Sequence, residues 1–535
     1  MPSLLRRLNR PIVAIVAVTC IAAGIRFIHL GFPTDLVFDE VYYAKSACIL
    51  NGWSDKTCLV DSSDEKYWRS DKWDVGSWVH PPLGKWQIAL GEKAFGMTPL
   101  GWRSSSAVVG TLTVTALALI AQLLWGSAFW TFITGLLLAT EHLNVVESRA
   151  ALLDIHLEFW VVVGFLLLLL DRRWIDRRTP PKEPAGIDDP DDPDDPDAAE
   201  GAEGAGPPGF ALPPPGGKHV AAGSRIPSPV WRPWRFAAGI AFAAAFSVKW
   251  SGITALGAAI LLSLLWETTR RRRGGVSRTS AFGRAIAREG LGLVLAFLVL
   301  PIAVYLVAYL PWFNHFGHLS WSPHVWADNL KLWWKNQTDM WHYHDTLKAT
   351  ALDSKTHTYT PTHPYYSRPW TWIIMERPVS YWVHNGAGGA LSQIIAIGNP
   401  VIFYWNLVAM PYAAWAWRKR GDWRAGFVLV PLLGQWLPWF LVGRPQFFFY
   451  VLPMVPFMVL GGVYLAKDLS AVRIIQRDRE TGAVVAESSK HPYRPLAWIY
   501  VVGAVALFVW FWPVLTGHPL SNLAWRARIW FPKWI

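Results

Sequence analysis

The sequence WRSSSAVVGTLTVTALALIAQLLWGSAFWTFITGLLLATEHLNVVESRAALLDIHLEFWVVVGFLLLLL, residues 102–170, contains three apolar runs joined by short polar links. The runs cover residues 102–124, 127–146 and 153–170. A helix needs about 20 apolar residues to cross a bilayer, and each run approaches that length. Lipid is therefore the expected solvent of this part of the chain.

The same pattern recurs outside this stretch. Eight further apolar runs cover residues 11–30, 234–249, 251–267, 290–311, 391–416, 423–442, 446–466 and 496–515. Of the 535 residues, 52% are apolar and 16% are charged, against about 25% charged in an average soluble domain. No small-x-small cleavage site follows the first run, which we interpret as a helix rather than a signal peptide. The sequence predicts an all-α polytopic membrane protein with about eleven transmembrane helices.

The basic residues lie at the ends of the apolar runs. Examples are Arg6 and Arg7, Arg172 and Arg173, and the cluster 270–273. Cytoplasmic loops carry such an excess of Lys and Arg, so the N-terminus is expected in the cytoplasm and, after eleven spans, the C-terminus outside a cell membrane. The net charge of +12 does not indicate nucleic-acid binding, because no basic stripe lies on a soluble domain.

The spans and loops divide the chain into five parts. Residues 1–173 form an N-terminal transmembrane part with a first outer loop at 31–101. Residues 174–233 contain an Asp/Pro-rich stretch and predict a disordered cytoplasmic linker. Central helices (234–311), a large outer loop (312–390) and C-terminal helices with an outer tail (391–535) follow.

The first outer loop begins with an acidic pair, Asp39 and Glu40, between apolar neighbours. A carboxylate that is partly desolvated near a membrane face has a raised pKa and can accept a proton from a hydroxyl nucleophile. The alternative is a helix start, where acidic residues favour the positive end of the dipole.

The same loop ends with the sequence HPPLGK, residues 80–85. Its two prolines fix an extended turn, so that His80 and Lys85 could face an anionic headgroup. The alternative is a rigid turn with an interfacial lysine.

Four ionisable residues lie close to the expected bilayer: Arg103, Glu147, Arg149 and Asp154. Such residues are expensive in lipid and are candidates for function. Glu147 with Arg149, or Arg103 with Asp154, could instead be ion pairs that hold helices together.

The remaining candidates lie in the later outer segments. His342, His344, His363 and Tyr365 fall in the large loop, among many aromatic residues that could stack on a sugar or lie along the interface. The spacing of the histidines matches no zinc signature, so we expect no metal site. Arg444 interrupts two apolar runs and could pair with a lipid phosphate or anchor the chain at the interface.

Cys48 and Cys58 flank a turn-prone stretch in the first outer loop. We expect them to form a disulfide, because this loop is predicted to lie on the outer side, where oxidation can occur, and free thiols are the alternative.

Taken in order, these motifs resemble the protein O-mannosyltransferase family, in particular its shorter bacterial, actinobacterial-type members. The motifs that carry the resemblance are Phe38-Asp39-Glu40, the HPPLGK sequence, Arg103, Ser148-Arg149 with Leu152-Leu153-Asp154, His342-Tyr343-His344, Thr362-His363-Pro364-Tyr365 and Gly398-Asn399-Pro400. The large outer loop is too short for the β-trefoil domain that eukaryotic members carry there.

The resemblance implies a GT-C glycosyltransferase fold with helical outer loops. It also implies transfer of mannose, with inversion, from a polyprenyl-phosphate-mannose lipid to Ser or Thr hydroxyls of polypeptides that cross the membrane. The secretion channel is an expected partner. Asp39, or alternatively Glu40, would be the base, and Arg103, Arg149 or Arg444 would stabilise the phosphate. No cofactor is expected to be required, and dependence on a divalent metal stays open.

Two other functions are considered. A GT-C enzyme that glycosylates a lipid or glycan would also carry an acidic pair in its first loop. A transporter or flippase would need ionisable residues near mid-span, and most charges here lie at span ends, with Lys249 and Glu141 as the nearest exceptions.

Overall fold

A computed structural model describes residues 2–58, 79–178, 230–272, 276–316, 323–352, 359–473, 475–477, 484–487 and 491–534. Its α-helices are α1 (Pro2–Phe27), α2 (Glu40–Leu50), α3 (Asp55–Cys58), α4 (Leu83–Phe95), α5 (Pro99–Trp125), α6 (Ala128–Ala139), α7 (His142–Ser148), α8 (Leu153–Arg178), α9 (Pro233–Val248), α10 (Gly252–Arg272), α11 (Arg278–Val294), α12 (Leu300–Ala308), α13 (Leu310–Phe316), α14 (Pro323–Thr346), α15 (Pro400–Arg420), α16 (Trp423–Trp436), α17 (Val455–Ala471), α18 (Arg494–Thr516) and α19 (Asn522–Arg526). One π-helical turn, Leu295–Val299, joins α11 to α12, and 3-10 turns cover Pro369–Ile374, Ala387–Gly389, Leu437–Leu441, Phe448–Met454 and Pro532–Trp534.

Three antiparallel hairpins accompany the helices. Their strands are β1 (Thr350–Leu352) with β2 (Tyr359–Pro361), β3 (Val379–Asn385) with β4 (Leu391–Ala396), and β5 (Ile475–Arg477) with β6 (Val484–Glu487). The large outer loop therefore contains strands in addition to the expected helices. The expected span at 391–416 is wrong at its start, because its first residues are the strand β4 and the helix begins at Pro400.

Seven helices of the described chain are long and apolar enough to cross a membrane. The pair α6 and α7 would make an eighth span, but it bends by 63° at the break between the two helices. The multispan architecture is confirmed, whereas the count of eleven is not. Residues 174–178 continue α8 instead of belonging to the linker, and the Asp/Pro-rich stretch lies outside the described residues.

The ends of α5 follow ordinary capping chemistry. The Thr98 hydroxyl accepts a hydrogen bond from Gly101 N at 3.1 Å, and Gly126 ends the helix with φ 66°. Within α5, a Cβ at Gly110 would lie 2.4 Å from Ser148 Oγ. This glycine therefore allows close contact between α5 and α7, which carries Glu147 and precedes Arg149.

Two buried ionic clusters lie at opposite ends of α8 and α9. At one end Asp154 pairs with Lys249 at 2.9 Å. At the other, Arg232 bonds Asp171 at 3.0 Å and Glu267 at 2.9 Å. Asp154 and Asp171 lie about 26 Å apart at 1.5 Å per helical residue, close to the roughly 30 Å of a bilayer core. We call these the Asp154 end and the Asp171 end.

The predicted disulfide is confirmed. Cys48 and Cys58 are bonded, with their Cα atoms 5.7 Å apart, and close the segment between α2 and α3. Asn51, at the end of α2, donates to Ala89 O at 3.1 Å and so ties α2 to α4. The acidic pair at the start of α2 therefore lies on a braced element.

Candidate active site

Asp39 immediately precedes α2 at the Asp154 end. Phe38 has φ 51°, in the left-handed region that bulky residues rarely adopt. Its ring stacks on Tyr381 with centroids 4.2 Å apart and contacts Phe449 edge-on at 5.5 Å. This packing offsets the backbone strain and fixes the conformation of the residue before Asp39.

The Asp39 carboxyl has few fixed partners. It is half-buried, and Oδ2 accepts a long hydrogen bond of 3.5 Å from the Tyr43 hydroxyl. Burial raises the pKa of Asp39 to about 7, while the Lys249 charge lowers it and the Asp154 charge raises it. A carboxyl with this pKa can take up a proton near neutral pH.

Glu40, the alternative base, has a structural role instead. Both oxygens are saturated: Oε1 accepts from Arg103 Nε and Ala151 N, each at 2.8 Å, and Oε2 accepts from Arg103 Nη2, Val37 N and Trp102 Nε1. The side chain is fully buried. No lone pair is left to accept a proton from a substrate, which leaves Asp39 as the candidate base.

Arg103 does not reach a phosphate site. Besides Glu40, its guanidinium donates to the carbonyls of Leu30, Pro33 and Asp35, at 3.3, 2.6 and 2.8 Å. The Arg103 side chain is 1% exposed, and all of its bonds stabilise the start of the first loop. The expected phosphate contact is wrong because the fork of donors is already filled.

Arg149 is used in the same way. It donates to the carbonyls of Ile25, Arg26, Ile28 and His29 at 2.7–3.1 Å. Ile25 and Arg26 lie in the last turn of α1, whose carbonyls lack helical partners and are satisfied well by a cation, and Ile28 and His29 directly follow the helix. Arg149 therefore caps α1, and its expected role at the donor phosphate is not supported.

Neither ion pair considered from the sequence forms. Glu147 accepts a hydrogen bond from the Tyr381 hydroxyl, and Asp154 receives two bonds from Lys249 Nζ, each at 2.9 Å. Lys249 also lies 4.5 Å from the ring centroid of Tyr450. Burial alone would lower the pKa of Lys249, but the Asp154 carboxylate outweighs it and the pKa is raised, so the ammonium persists.

His80, His344 and Arg444 meet at the same end. The rings of His80 and His344 are stacked with centroids 5.6 Å apart. His344 Nε2 lies 3.1 Å from Val79 O, and Nδ1 lies 3.3 Å from Arg444 Nη1. If Nε2 carries the proton, both contacts are satisfied by a neutral ring. Burial and the Arg444 charge lower the pKa of His344 to about 4, which agrees with that state.

Lys85 and Arg444, the two cations expected to face a headgroup or phosphate, lie in different environments. Lys85 is 1% exposed and donates to His80 O at 2.8 Å, so it supports the turn instead of facing a ligand. Arg444 is half-buried beside Tyr450, with its guanidinium carbon 5.5 Å from the ring centroid. Its guanidinium contacts a side chain, His344 Nδ1, at 3.3 Å, and unlike Arg103 it is not fully buried.

The other candidates in the large outer loop, His342, His363 and Tyr365, do not lie together. His342 is exposed, and its backbone carbonyl accepts a hydrogen bond from the Thr346 hydroxyl. His363 packs edge-on against Phe447 at 4.8 Å, and Phe447 stacks on Phe449 at 5.6 Å. Tyr365 donates its backbone N–H to His363 Nδ1 at 3.1 Å. His363 and Tyr365 thus border the aromatic cluster around Phe38, and His342 does not.

Sequence reasoning missed two members of the site, Lys249 and Tyr381. Lys249 was noted only as a charge near a span, although a lysine directly after an apolar helix is a signal of function. Tyr381 lies on β3, in a segment without a strand prediction. Within the described ranges, no group of three or more His, Cys, Asp or Glu could hold a metal ion.

The fold and the site together define a multispan membrane enzyme with a base candidate and two cations at one end of its bundle. Residues 16–178 match the family described as "Dolichyl-phosphate-mannose-protein mannosyltransferase", and residues 329–534 match the "C-terminal four TMM region of protein-O-mannosyltransferase". The chain belongs to the protein mannosyltransferase family and is a glycosyltransferase.

Full-length relatives support this assignment. The chain is 30% identical to a polyprenol-phosphate-mannose–protein mannosyltransferase of Mycolicibacterium smegmatis, over 97% of this chain and 92% of the relative. A Mycobacterium tuberculosis protein of the same description is 29% identical, over 97% and 90%. The fold is similar to the Saccharomyces cerevisiae protein O-mannosyltransferase Pmt1-Pmt2 complex bound to the sugar donor, with a TM-score of 0.65, 13% identity and coverage of 98% and 92%.

Proposed function

We propose that the chain transfers mannose from a polyprenyl-phosphate-mannose lipid to Ser or Thr hydroxyls of polypeptides at the outer face of the cell membrane. The observation that carries this proposal is a pair of cations beside the Asp39 carboxyl: Lys249 and Arg444 lie 4.5 and 5.5 Å from the ring centroid of Tyr450, and the Lys249 charge acts on the pKa of Asp39. The relatives' descriptions supply the donor and the kind of acceptor.

Asp39 accepts the proton of the acceptor hydroxyl as its oxygen attacks the anomeric carbon. The bond from that carbon to the phosphate oxygen breaks, and the electron pair leaves with the lipid phosphate. A single displacement of this kind inverts the anomeric configuration. Arg444 and Lys249 stabilise the charge on the departing phosphate, and Lys249 has a third N–H beyond the two that bond Asp154. Because these cations are in place, we expect no cofactor or metal requirement.

The orientation follows from the charges at the Asp171 end. Arg270, Arg271 and Arg272 close α10 there, which favours the cytoplasm for that end and the outer face for Asp39. A site at this face fits acceptor polypeptides that emerge from the membrane, and proximity to the secretion channel is part of this proposal. By the same reasoning the N-terminus is cytoplasmic and the C-terminus outside.

The test uses purified enzyme in nanodiscs, radiolabelled polyprenyl-phosphate-mannose and a Thr-rich peptide. Label should enter the peptide with the wild type and with Asp328→Asn, an exposed carboxylate on α14, but not with Asp39→Asn. Transfer to a glycolipid in place of the peptide would favour the lipid or glycan enzyme. Movement of the donor between leaflets without transfer would favour a flippase.

A further inference from the structure

Helix α14 has three different faces. Asn329 and Met340 are buried against the protein, 4% and 0% exposed. A polar face carries two exposed ion pairs, Lys331 with Asp328 and Lys335 with Asp339.

The third face is apolar and uncovered. Leu330, Trp334 and Trp341 are 48%, 63% and 66% exposed. Their spacings of 4 and 7 residues place them within about 40° of one another around the helix. The four charged residues of the polar face keep α14 from being a span, and it is not among the helices apolar enough to cross the membrane. We call Leu330, Trp334 and Trp341 the apolar stripe.

Contacts fix α14 across the end of the span that continues from α11. Tyr305 on α12 donates its hydroxyl to Gln337 Oε1 at 2.7 Å, and Trp250 donates to the Tyr305 hydroxyl at 3.0 Å. Trp333 packs edge-on against Tyr309 at 6.1 Å. The helix is therefore seated on residues at the Asp154 end of the bundle.

The surface of this span beside Tyr305 is itself exposed and apolar. Its exposed residues are Leu298, Val299, Ile302, Leu306, Val307 and Leu310. In a membrane this surface faces lipid, and the apolar stripe lies at the border where it ends. Tryptophan is the residue that favours this headgroup level.

We propose that the apolar stripe inserts into the headgroup and acyl boundary of the leaflet at the Asp154 end, which makes α14 an in-plane, membrane-bound helix. The occupant of the exposed face is lipid. The insertion bears on the site because Trp341 lies 6.4 Å from Trp250, and Trp250 lies 6.1 Å from the ring of His344, which bonds Arg444. Lipid contact thus holds the end of α14 that positions Arg444.

The test places an environment-sensitive NBD label on the full-length enzyme. Cys20→Ser removes the free cysteine of the described chain, and Cys48 and Cys58 are bonded to each other. Label at Trp334→Cys is compared with label at Lys335→Cys, one residue away on the polar face. Both proteins are placed in nanodiscs with and without lipids doxyl-labelled near the headgroup.

Insertion predicts blue-shifted emission and at least twofold quenching by doxyl lipid at position 334, with emission typical of water and little quenching at 335. A blue shift without doxyl quenching would mean that protein, such as a second copy, covers the stripe, and would overturn the proposal. Water-like emission at both positions would overturn it too, including the case in which only added Thr-rich peptide shifts the label.

If Trp334→Cys fails to fold, Trp341→Cys with His342→Cys as its control gives the same comparison. No sugar transfer is measured, so the result does not depend on the proposed reaction.

Discussion

Asp39 and Glu40 are neighbours in sequence, but their substitutions should affect different properties. Substitution of Glu40 should lower the stability of the fold, and substitution of Asp39 should lower turnover. Glu40→Gln leaves the Arg103 guanidinium buried beside a neutral amide. The new amide nitrogen also faces backbone N–H donors, because Val37 N and Ala151 N bond the two oxygens of Glu40. The damage is therefore to the fold.

The size of the effect follows from the burial of the pair. Arg103 and Glu40 are 1% and 0% exposed in their side chains and joined at 2.8 Å. Removing one partner of such a pair costs about 3–5 kcal/mol. Asp39→Asn instead replaces a carboxyl whose pKa is raised to about 7, because burial disfavours the ionised form more than the Lys249 charge favours it, so the substitution removes no net ionic stabilisation of the fold. Its unfolding temperature should be unchanged or higher, while its turnover falls by about 10²–10⁴.

The assay measures thermal unfolding and single-turnover mannose transfer on the same nanodisc preparations. We expect Glu40→Gln to unfold at clearly lower temperature and to keep measurable turnover per folded molecule. Asp39→Asn should be stable and inactive. A stable, inactive Glu40→Gln beside an active Asp39→Asn would refute the assignment of the base.

Three further outcomes are expected. Because the folded pKa of Asp39 is about 7 and the base must be ionised, kcat/KM should rise about tenfold between pH 6 and pH 8, and a flat profile would contradict this. Arg444→Lys should retain more activity than Arg444→Met if charge on the phosphate matters, with the largest change in KM for the lipid donor. Cys48→Ser should lower stability by at most about 3 kcal/mol, measured by thermal unfolding beside Cys20→Ser as the control, and equal stability would show that the bridge is dispensable.

Local patterns predicted those parts of the molecule that depend on neighbours in sequence. Apolar runs identified most of the helices, and a turn between Cys48 and Cys58 indicated the bridge. The prediction of spans from apolar runs was wrong where an apolar segment forms a strand or where a polar cap interrupts the run. Residues 391–396 are as apolar as the start of a span, but they pair with β3, and the run 127–146 breaks before Glu141, which caps α7 by accepting from Asn144 N at 2.7 Å.

Contacts between residues that are far apart in the chain could not be predicted from the sequence. Lys249 and Asp154 are 95 residues apart, and Tyr381 reaches Glu147 from a hairpin 234 residues away. A sequence shows that a charge near lipid needs a partner, but it does not show which one. Of the residues weighed as ion pairs, Arg103 and Asp154 form pairs with other partners, Glu40 and Lys249. Glu147 bonds a tyrosine hydroxyl, and Arg149 bonds backbone carbonyls.

The three arginines expected at the phosphate show why residue type alone does not define a site. All three lie near an expected membrane face, where a lipid phosphate is a plausible partner. Arg103 and Arg149 instead bind backbone carbonyls at the end of α1 and in the loop after it. A chain that leaves a helix inside a membrane exposes carbonyls that water cannot satisfy, and a buried guanidinium is one of the few groups that can. Arg444, which is half-buried and bonds a neutral histidine, keeps its charge available for a ligand. We therefore expect Arg444, rather than Arg103 or Arg149, to act on the substrate.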